Sequence, residues 1–310
     1  MSTQKGPTKI DDEGFMTPHV PVLLHETIDL LALQPGAVVL DGTVGAGGHA
    51  EEIARRIGKT GTLICLDQDS DALARASLRL STCAAKTHFL HTNFRNIPAA
   101  LDSLSIANVD AIVLDVGISS MHLESSGRGF TFQRDEPLLM TMVHPIPEGV
   151  ETARDIVNRA REEDLADIFW KYGEERFSRR IARAIVEARK RSPIETSGTL
   201  AEIVTRAMPR RGKRHPATRV FQALRIVVND ELGALSEGIA GGISRLSRGG
   251  RIAIISFHSL EDRIVKNMFR DAAKEGMLTV ITKKPIVPTH AEAKKNPRAR
   301  SAKLRAAEKI

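Results

Sequence analysis

The alternation of short apolar runs with amphipathic ones between Val22 and about Val116 constrains this chain more than any other feature. Strand-like stretches at Ala37–Leu40, Thr62–Leu66, His88–His91 and Ala111–Asp115 alternate with helix-like segments. The first of these is marked by Leu23, Leu24, Ile28 and Leu31, and others follow at Ala50–Ile57, Ser70–Leu80 and Ile97–Leu104. Apolar strands with no polar face need cover on both sides, and the intervening helices supply the crossovers of a parallel sheet. The predicted class is α/β, doubly wound.

The rhythm then breaks off. Residues 117–150 are rich in Gly, Ser, Pro and charge and are predicted as a long ordered loop, while 151–208 carry helical periodicity alone. In EERFSRRIARAIVEARKR, Phe177, Ile181, Ile185 and Ala188 recur at three- and four-residue steps among Arg176, Arg179, Arg180 and Arg183. That is an amphipathic helix with a basic outer face. One long helix is predicted over Ala217–Leu246, stopped by Gly249-Gly250. Strand-like Arg251–Phe257, a helix at Leu260–Arg270 and strand-like Leu278–Thr282 then resume the α/β pattern, and Ala302–Glu308 suits a strand or a helix. The simplest organisation is an α/β domain of residues 17–123 and 216–310, interrupted by a helical domain at 124–215.

Charge is divided along the chain in a similar way. Residues 171–225 hold fifteen basic and five acidic side chains and residues 283–310 hold nine and two, yet the whole chain is only +7, so the remainder is acidic. Clustered Lys and Arg release counterions from a polyanion; a solvated helix face with a basic tail is the plainer alternative. Aromatic residues make up 4% of the chain, too few for a base-stacking sheet of the RRM kind. Apolar runs such as Ile252–Phe257 are far too short to span a bilayer, and the N-terminal MSTQKGPTKIDDEG has no apolar signal segment. Two cysteines without CxxC spacing, Cys65 and Cys83, give neither a disulfide framework nor a cysteine zinc site. The expectation is a cytoplasmic protein with no membrane partner.

The strongest local motif is VVLDGTVGAGGHA, residues 38–50, a strand that ends at Asp41 and a glycine-rich turn into a helix. Gly45, Gly47 and Gly48 let backbone approach a ligand closely. The segment also satisfies GxGxxG/A, so a dinucleotide is one candidate. Asp41, set before the glycines, favours a cationic, amine-bearing ligand such as S-adenosylmethionine, because a carboxylate repels a pyrophosphate. Asp67 in LICLDQD follows at the distance where a carboxylate accepts ribose hydroxyls in either case. A structural turn without ligand is the third reading. In DAIVLDVGISS, Asp115 ends a strand at the edge where open α/β sheets bind ligands. Asp115, Ser119 and Ser120 supply acceptors for the hydrogens of an amine being methylated, although a turn or helix-cap role suits Asp115 as well. The ten histidines show no HExxH or metal-ligand cluster, and no metal site is expected. His258 in SFHSLEDR belongs either to the cleft or to the core.

Read together, HVPVLLHE, DGTVGAGGH, LDQD, LDVGISS, RGFTFQRDEPL, YGEERFSRRIARAIVE, HPATRVFQALRIVVNDEL, ISFHSLEDRIVK and NPRARSAKLRAAE resemble the ribosomal RNA small subunit methyltransferase H (MraW) family from about Thr17 to Glu308. The resemblance implies a Rossmann-like class I methyltransferase with an inserted helical domain. It implies S-adenosylmethionine-dependent methylation of a cytidine N4 in the decoding region of small-subunit rRNA. Carried over, cofactor contacts fall on Gly47, Gly48, His49, Asp67, Phe94 and Asp115. His122 stands where the family has a glutamine. Leu139, Thr141 and Val143 replace the Asp, Arg and Asp of the family's GPLDMRMD.

The full set of expected cofactor residues is Asp41, Gly45, Gly47, Gly48, His49, Asp67, Phe94, Asp115 and His122, with Asp115 and Ser119 catalytic. Arg179, Arg183, Arg210, Arg211, Lys213, Arg214, Arg298 and Arg300 are expected to hold RNA. The partner is small-subunit rRNA or the small ribosomal subunit, and a homodimer is compatible with this reading. The alternatives are a methyltransferase acting on another RNA or on protein, a non-catalytic rRNA-binding factor, and an NAD-dependent oxidoreductase.

Overall fold

The computed structural model describes residues 21–118, 126–208 and 215–310. Strands β1 (Val38–Asp41), β2 (Thr62–Asp67), β3 (Lys86–His91), β4 (Val109–Asp115), β5 (Leu246–Ser256), β6 (Leu278–Val280) and β7 (Lys303–Lys309) form one sheet in the order β3-β2-β1-β4-β5-β7-β6. β1 to β5 run parallel, and β7 lies antiparallel between β5 and β6. This is the Rossmann-like architecture that the sequence predicts, and it settles Ala302–Glu308 as strand.

Twelve α-helices accompany the sheet among the described residues: α1 (Leu24–Leu31), α2 (Gly48–Ile57), α3 (Ser70–Leu80), α4 (Ile97–Ser103), α5 (Ala153–Arg159), α6 (Glu162–Lys171), α7 (Ser178–Arg189), α8 (Ser197–Ala207), α9 (Thr218–Val228), α10 (Glu231–Arg245), α11 (Ser259–Lys274) and α12 (His290–Lys295). The apolar strands feed two cores, because successive side chains point to opposite faces. Leu63, Cys65, Ala111 and Val113 join the helices α1 to α3, whereas Ile64, Leu66, Ile112 and Leu114 join α4, α10 and α11. All eight are fully buried, which is why β2 and β4 read as continuous apolar runs. A third core gathers buried residues from Phe130 to Leu224, with Phe169, Ile181, Ile185, Leu200 and Leu224 at its centre.

Two boundaries differ from the sequence expectation. The stretch Ala217–Leu246 is two helices, broken between α9 and α10 at Asp230, whose φ is 44°. The break frees the Asn229 side chain, which clasps another segment instead of facing solvent. The glycines at 249 and 250 do not stop a helix; they lie inside β5, where the register with β4 jumps between Leu246 and Arg251. Gly249, at φ 76°, supplies the left-handed residue of that irregularity. Residues 126–150 contain no helix or strand. Ser119, Ser120 and His122, and Arg210, Arg211, Lys213 and Arg214, lie outside the described residues. Among the described residues no helix is long and apolar enough to cross a membrane.

Candidate active site

From β1 the sheet grows in two directions, through β2 and β3 on one side and β4 and β5 on the other. Loops that leave such a reversal diverge and open a crevice at the carboxyl ends of the strands. A cavity of about 540 Å³ lies there, walled by the β1–α2 turn, the ends of β2 and β4, α9 and the start of α11.

On the sheet side, Gly45 N–H donates to Asp67 Oδ2 at 2.9 Å and Asp69 N–H to Asp67 Oδ1 at 3.0 Å. These bonds fix the carboxylate in the cavity wall, where its oxygens are of the type that accepts a ribose hydroxyl. Phe94 opens a 3-10 turn after β3 and offers the wall an apolar ring. That ring fits only because α10 has Gly238 beneath it, where a Cβ would come 2.5 Å from Phe94 Cδ2. Gly45, Gly48 and His49 also line the cavity.

Two expected contacts sit elsewhere. Gly47 is not in the wall; at φ 79° its missing Cβ would lie 3.3 Å from Ala76 Cα, so it serves the close packing of α2 on α3. Asp41 is 2% exposed beneath the floor and accepts Thr43 N–H at 3.1 Å. Burial, opposed by that bond and reinforced by the charge of Asp67, raises its pKa to about 7. Asp41 therefore acts on the cavity through Thr43, whose hydroxyl accepts the backbone N–H of Asp115 at 2.6 Å.

Asp115 does face the cavity. Its Oδ1 is buried without a hydrogen-bond partner among the described residues. Burial, then the charges of Asp41 and Glu261, raise its pKa to about 8. His49 Nε2 lies 3.1 Å from the Val22 carbonyl, which can only accept, so that nitrogen carries a hydrogen. Nδ1 is then turned toward Asp115 Oδ2 at 3.8 Å.

Of the facing wall, the sequence reading offers only His258. Gln222 and Arg225 of α9 and its C-cap Asn229 recur at three- and four-residue steps and line it together. Their signal was a set of polar residues at helical spacing inside the otherwise apolar VFQALRIVVND. Arg225 donates from Nε and Nη2 to the two oxygens of Glu231 at 2.6 and 2.7 Å. Burial raises the Glu231 pKa against the pull of Arg225. His258 proves to be both wall and cap: it lines the cavity and is the N-cap of α11, its Nδ1 accepting Glu261 N–H. Glu261 Oε2 in return accepts the N–H groups of Phe257 and His258 at 2.8 and 3.2 Å. Glu231, His258 and Glu261 bring ligand-type atoms within 4.8 Å of one another, but the paired hydrogen bonds from Arg225 make this an internal ion-pair network.

The segment with Leu139, Thr141 and Val143 is held by its backbone. Asn229 Nδ2 donates to Met140 O at 2.8 Å and Asn229 Oδ1 accepts Met142 N–H at 2.7 Å. Arg128, buried, donates to the carbonyls of Thr141 and Met142 and to Asp69. Substitutions at 139, 141 and 143 leave these bonds in place, and Met142 still reaches the cavity. Of the expected RNA contacts, Arg179 and Arg183 are exposed on α7, Arg300 is exposed, and Arg298 belongs to the cavity wall. A second cavity of about 460 Å³, beside α11 and β6, has Lys266, Arg270 and Phe269 in its lining and none of the strand-end carboxylates.

These residues suit a ligand with ribose hydroxyls for Asp67, a flat ring for Phe94 and a cationic centre for Asp115. The model of the MraW methylase family matches residues 16–310. A protein of Carboxydothermus hydrogenoformans named ribosomal RNA small subunit methyltransferase H is 47% identical, over 94% of this chain and 98% of its own length. One of the same name from Nitratidesulfovibrio vulgaris is 46% identical, over 100% of this chain and 91% of its own. The chain belongs to the MraW methylase family and is a methyltransferase whose cofactor is S-adenosylmethionine.

Proposed function

We propose that this chain methylates the N4 amine of one cytidine in the decoding region of small-subunit rRNA. The observation that carries the reaction is Asp115: a carboxyl at the end of β4, inside the cavity, with one buried oxygen still lacking a donor. The relatives named above supply the substrate class.

Bound S-adenosylmethionine supplies an electrophilic methyl group and a positive charge. Asp67 would hold its ribose, Phe94 its adenine, and the Gly45–His49 turn its remaining polar groups. A cation beside Asp115 favours the ionised carboxylate, so loading the site makes Asp115 a hydrogen-bond acceptor. The N4 lone pair of cytosine is delocalised into the ring and is weakly nucleophilic. A carboxylate that accepts one N4–H draws the amine toward a tetrahedral shape and takes the proton released on methylation. Ser119 is assigned a second acceptor role from its place in the sequence. The base must leave its stack to reach such a recessed carboxylate. The helical part, 124–215, is assigned to RNA recognition, with Arg179, Arg183, Arg210, Arg211, Lys213 and Arg214; Arg298 and Arg300 add to it from the α/β part, 17–123 and 216–310.

The test is methyl transfer from labelled S-adenosylmethionine to small ribosomal subunits lacking the modification, followed by nucleoside mass spectrometry. N4-methylcytidine at a single decoding-region site, absent with Asp115→Asn, is the expected result. A protein that binds the cofactor but yields no methylated cytidine on any such subunit would overturn the reading.

A further inference from the structure

The α6–α7 connection carries exposed apolar surface that the fold does not use. Trp170, in the last turn of α6, is 56% exposed, and Phe177, directly before α7, is 41% exposed. Their neighbours Phe169 and Ile181 already fill the helical core, each fully buried. Burying a large aromatic is worth roughly 1.5–3 kcal/mol, and the fold forgoes most of this at Trp170.

The same turn carries arginines that its acidic residues do not pair, since Glu174 and Glu175 pair with Arg263 and Arg219. Arg176, Arg179 and Arg180 are exposed and have no ion pair among the described residues, whereas Arg183, one turn on, pairs with Glu162 at 3.4 Å. The first turn of α7 holds no acidic side chain. Three like charges beside two bare rings repel one another and the positive end of the helix dipole. Packing does not explain them; a ligand with both negative charge and flat apolar faces does.

The turn is also tied to the mouth of the active site. Tyr172 O accepts from Gln222 Nε2 at 3.2 Å, and Gln222 lines the 540 Å³ cavity. The Glu174 carboxylate accepts from Ser259 Oγ at 2.8 Å and from Arg263 at 3.4 Å, next to His258 in the cavity wall.

We infer that Trp170 and Phe177 form a stacking platform for unpaired bases of the substrate RNA, with Arg176, Arg179 and Arg180 holding the phosphates between them. The inference rests on the RNA reading of the active site and adds a second point of attachment for bases beside the target. Stacking on an aromatic side chain is worth about 1–3 kcal/mol per base and tolerates any sequence, so this surface adds affinity and leaves selection of the target base to the cavity.

Trp170 is the only tryptophan of the chain, so the intrinsic fluorescence of the full-length protein reports on the platform directly. A single-stranded RNA oligonucleotide is expected to quench it as binding saturates, and an abasic oligomer of equal length and charge is not. Trp170→Ala should raise the KM for RNA roughly ten-fold, as expected from one lost stack, with the loss in KM rather than kcat and with Trp170→Phe recovering most of it. Equal quenching by the abasic oligomer, or saturable RNA binding without quenching, overturns the platform. So does Trp170→Ala with an unchanged KM while N4-methylcytidine is still made. If RNA quenches the fluorescence but no methylated cytidine forms, the platform stands and the proposed reaction fails.

Discussion

The two walls of the cavity are built in opposite ways. The sheet-side wall comes from consecutive βα turns: Gly45, Asp67 and Asp115 each lie at or just past the end of a strand, so the fold itself delivers them. The facing wall consists of side chains from α9, α10 and α11 that hold one another, Arg225 to Glu231 and His258 to Glu261, and that clamp a loop more than eighty residues away through Asn229. The first wall is positioned by backbone, the second by buried charge. Isosteric changes in the first should therefore remove function and spare the fold, while changes in the second should cost the fold first.

Asp115→Asn breaks the comparison most directly. The amide keeps the shape and the backbone bond to Thr43 but can no longer accept the N4 proton, so methyl transfer should fall by about 10²–10⁴-fold, with the cofactor still bound. Steady-state methylation beside calorimetric cofactor titration checks this. The same variant should gain stability in alkali. Asp41 and Asp115 have pKa values of about 7 and 8 in the folded chain against an ordinary 3.8. The folded state holds protons that the unfolded state has released, so their contribution is full below about pH 4 and is lost as the pH rises through 7 to 8. The Tm of Asp115→Asn should therefore draw ahead of wild type between pH 5 and 8.5, in the window those pKa values define. A gap that shrinks over that range would refute the assignment.

Arg225→Ala tests the facing wall. Both partners are nearly buried, and removing one leaves Glu231 uncompensated, a loss of about 3–5 kcal/mol. Chemical denaturation should show it, and the double variant Arg225→Met with Glu231→Met should recover most of it. If Arg225→Ala retains its stability and loses only activity, this wall is functional in the same sense as the other.

Phe94→Ala comes next. Loss of a ring that stacks on a base weakens binding by about 1–3 kcal/mol, so cofactor Kd should rise about ten-fold or more, while Tm falls less than for a fully buried ring because Phe94 is half-buried at the cavity. An unchanged Kd would remove adenine from that position.

The asymmetry also explains what could be read in advance. Strand-end carboxylates and turn glycines are local signals: Asp67 and Asp115 follow from motif and position, Phe94 only from the family resemblance, and all three line one cavity. Asp41 and Gly47 share the same motif but are turned elsewhere, since a strand end has a buried side and a helix start must also pack on its neighbour. No local pattern distinguishes those sides. The break at Asn229-Asp230 was hidden because the periodicity runs on through it; only the contact with Met140 and Met142 gives it a reason. Leu139, Thr141 and Val143 depart from the family's GPLDMRMD in side chain alone, since the clamp on this segment is to backbone atoms that every residue carries.

The smallest expected effect lies outside both walls. Arg179 and Arg183 are exposed on α7, and the single ion pair they make among the described residues, Arg183 with Glu162, is of the surface kind. Such pairs are worth about 0–1 kcal/mol, so Arg179→Glu with Arg183→Glu should leave Tm and cofactor Kd near the wild-type values. RNA affinity should still fall, and its dependence on salt should flatten by about 0.9 in log–log slope for each phosphate contact removed. Measured across several salt concentrations, a flattened slope with normal cofactor binding places the RNA path on the helical part and confines each wall to its own role. A parallel line, weaker by a constant amount, would show instead that these arginines act through the shape of α7, and would leave the phosphates to the Arg298 side of the cavity.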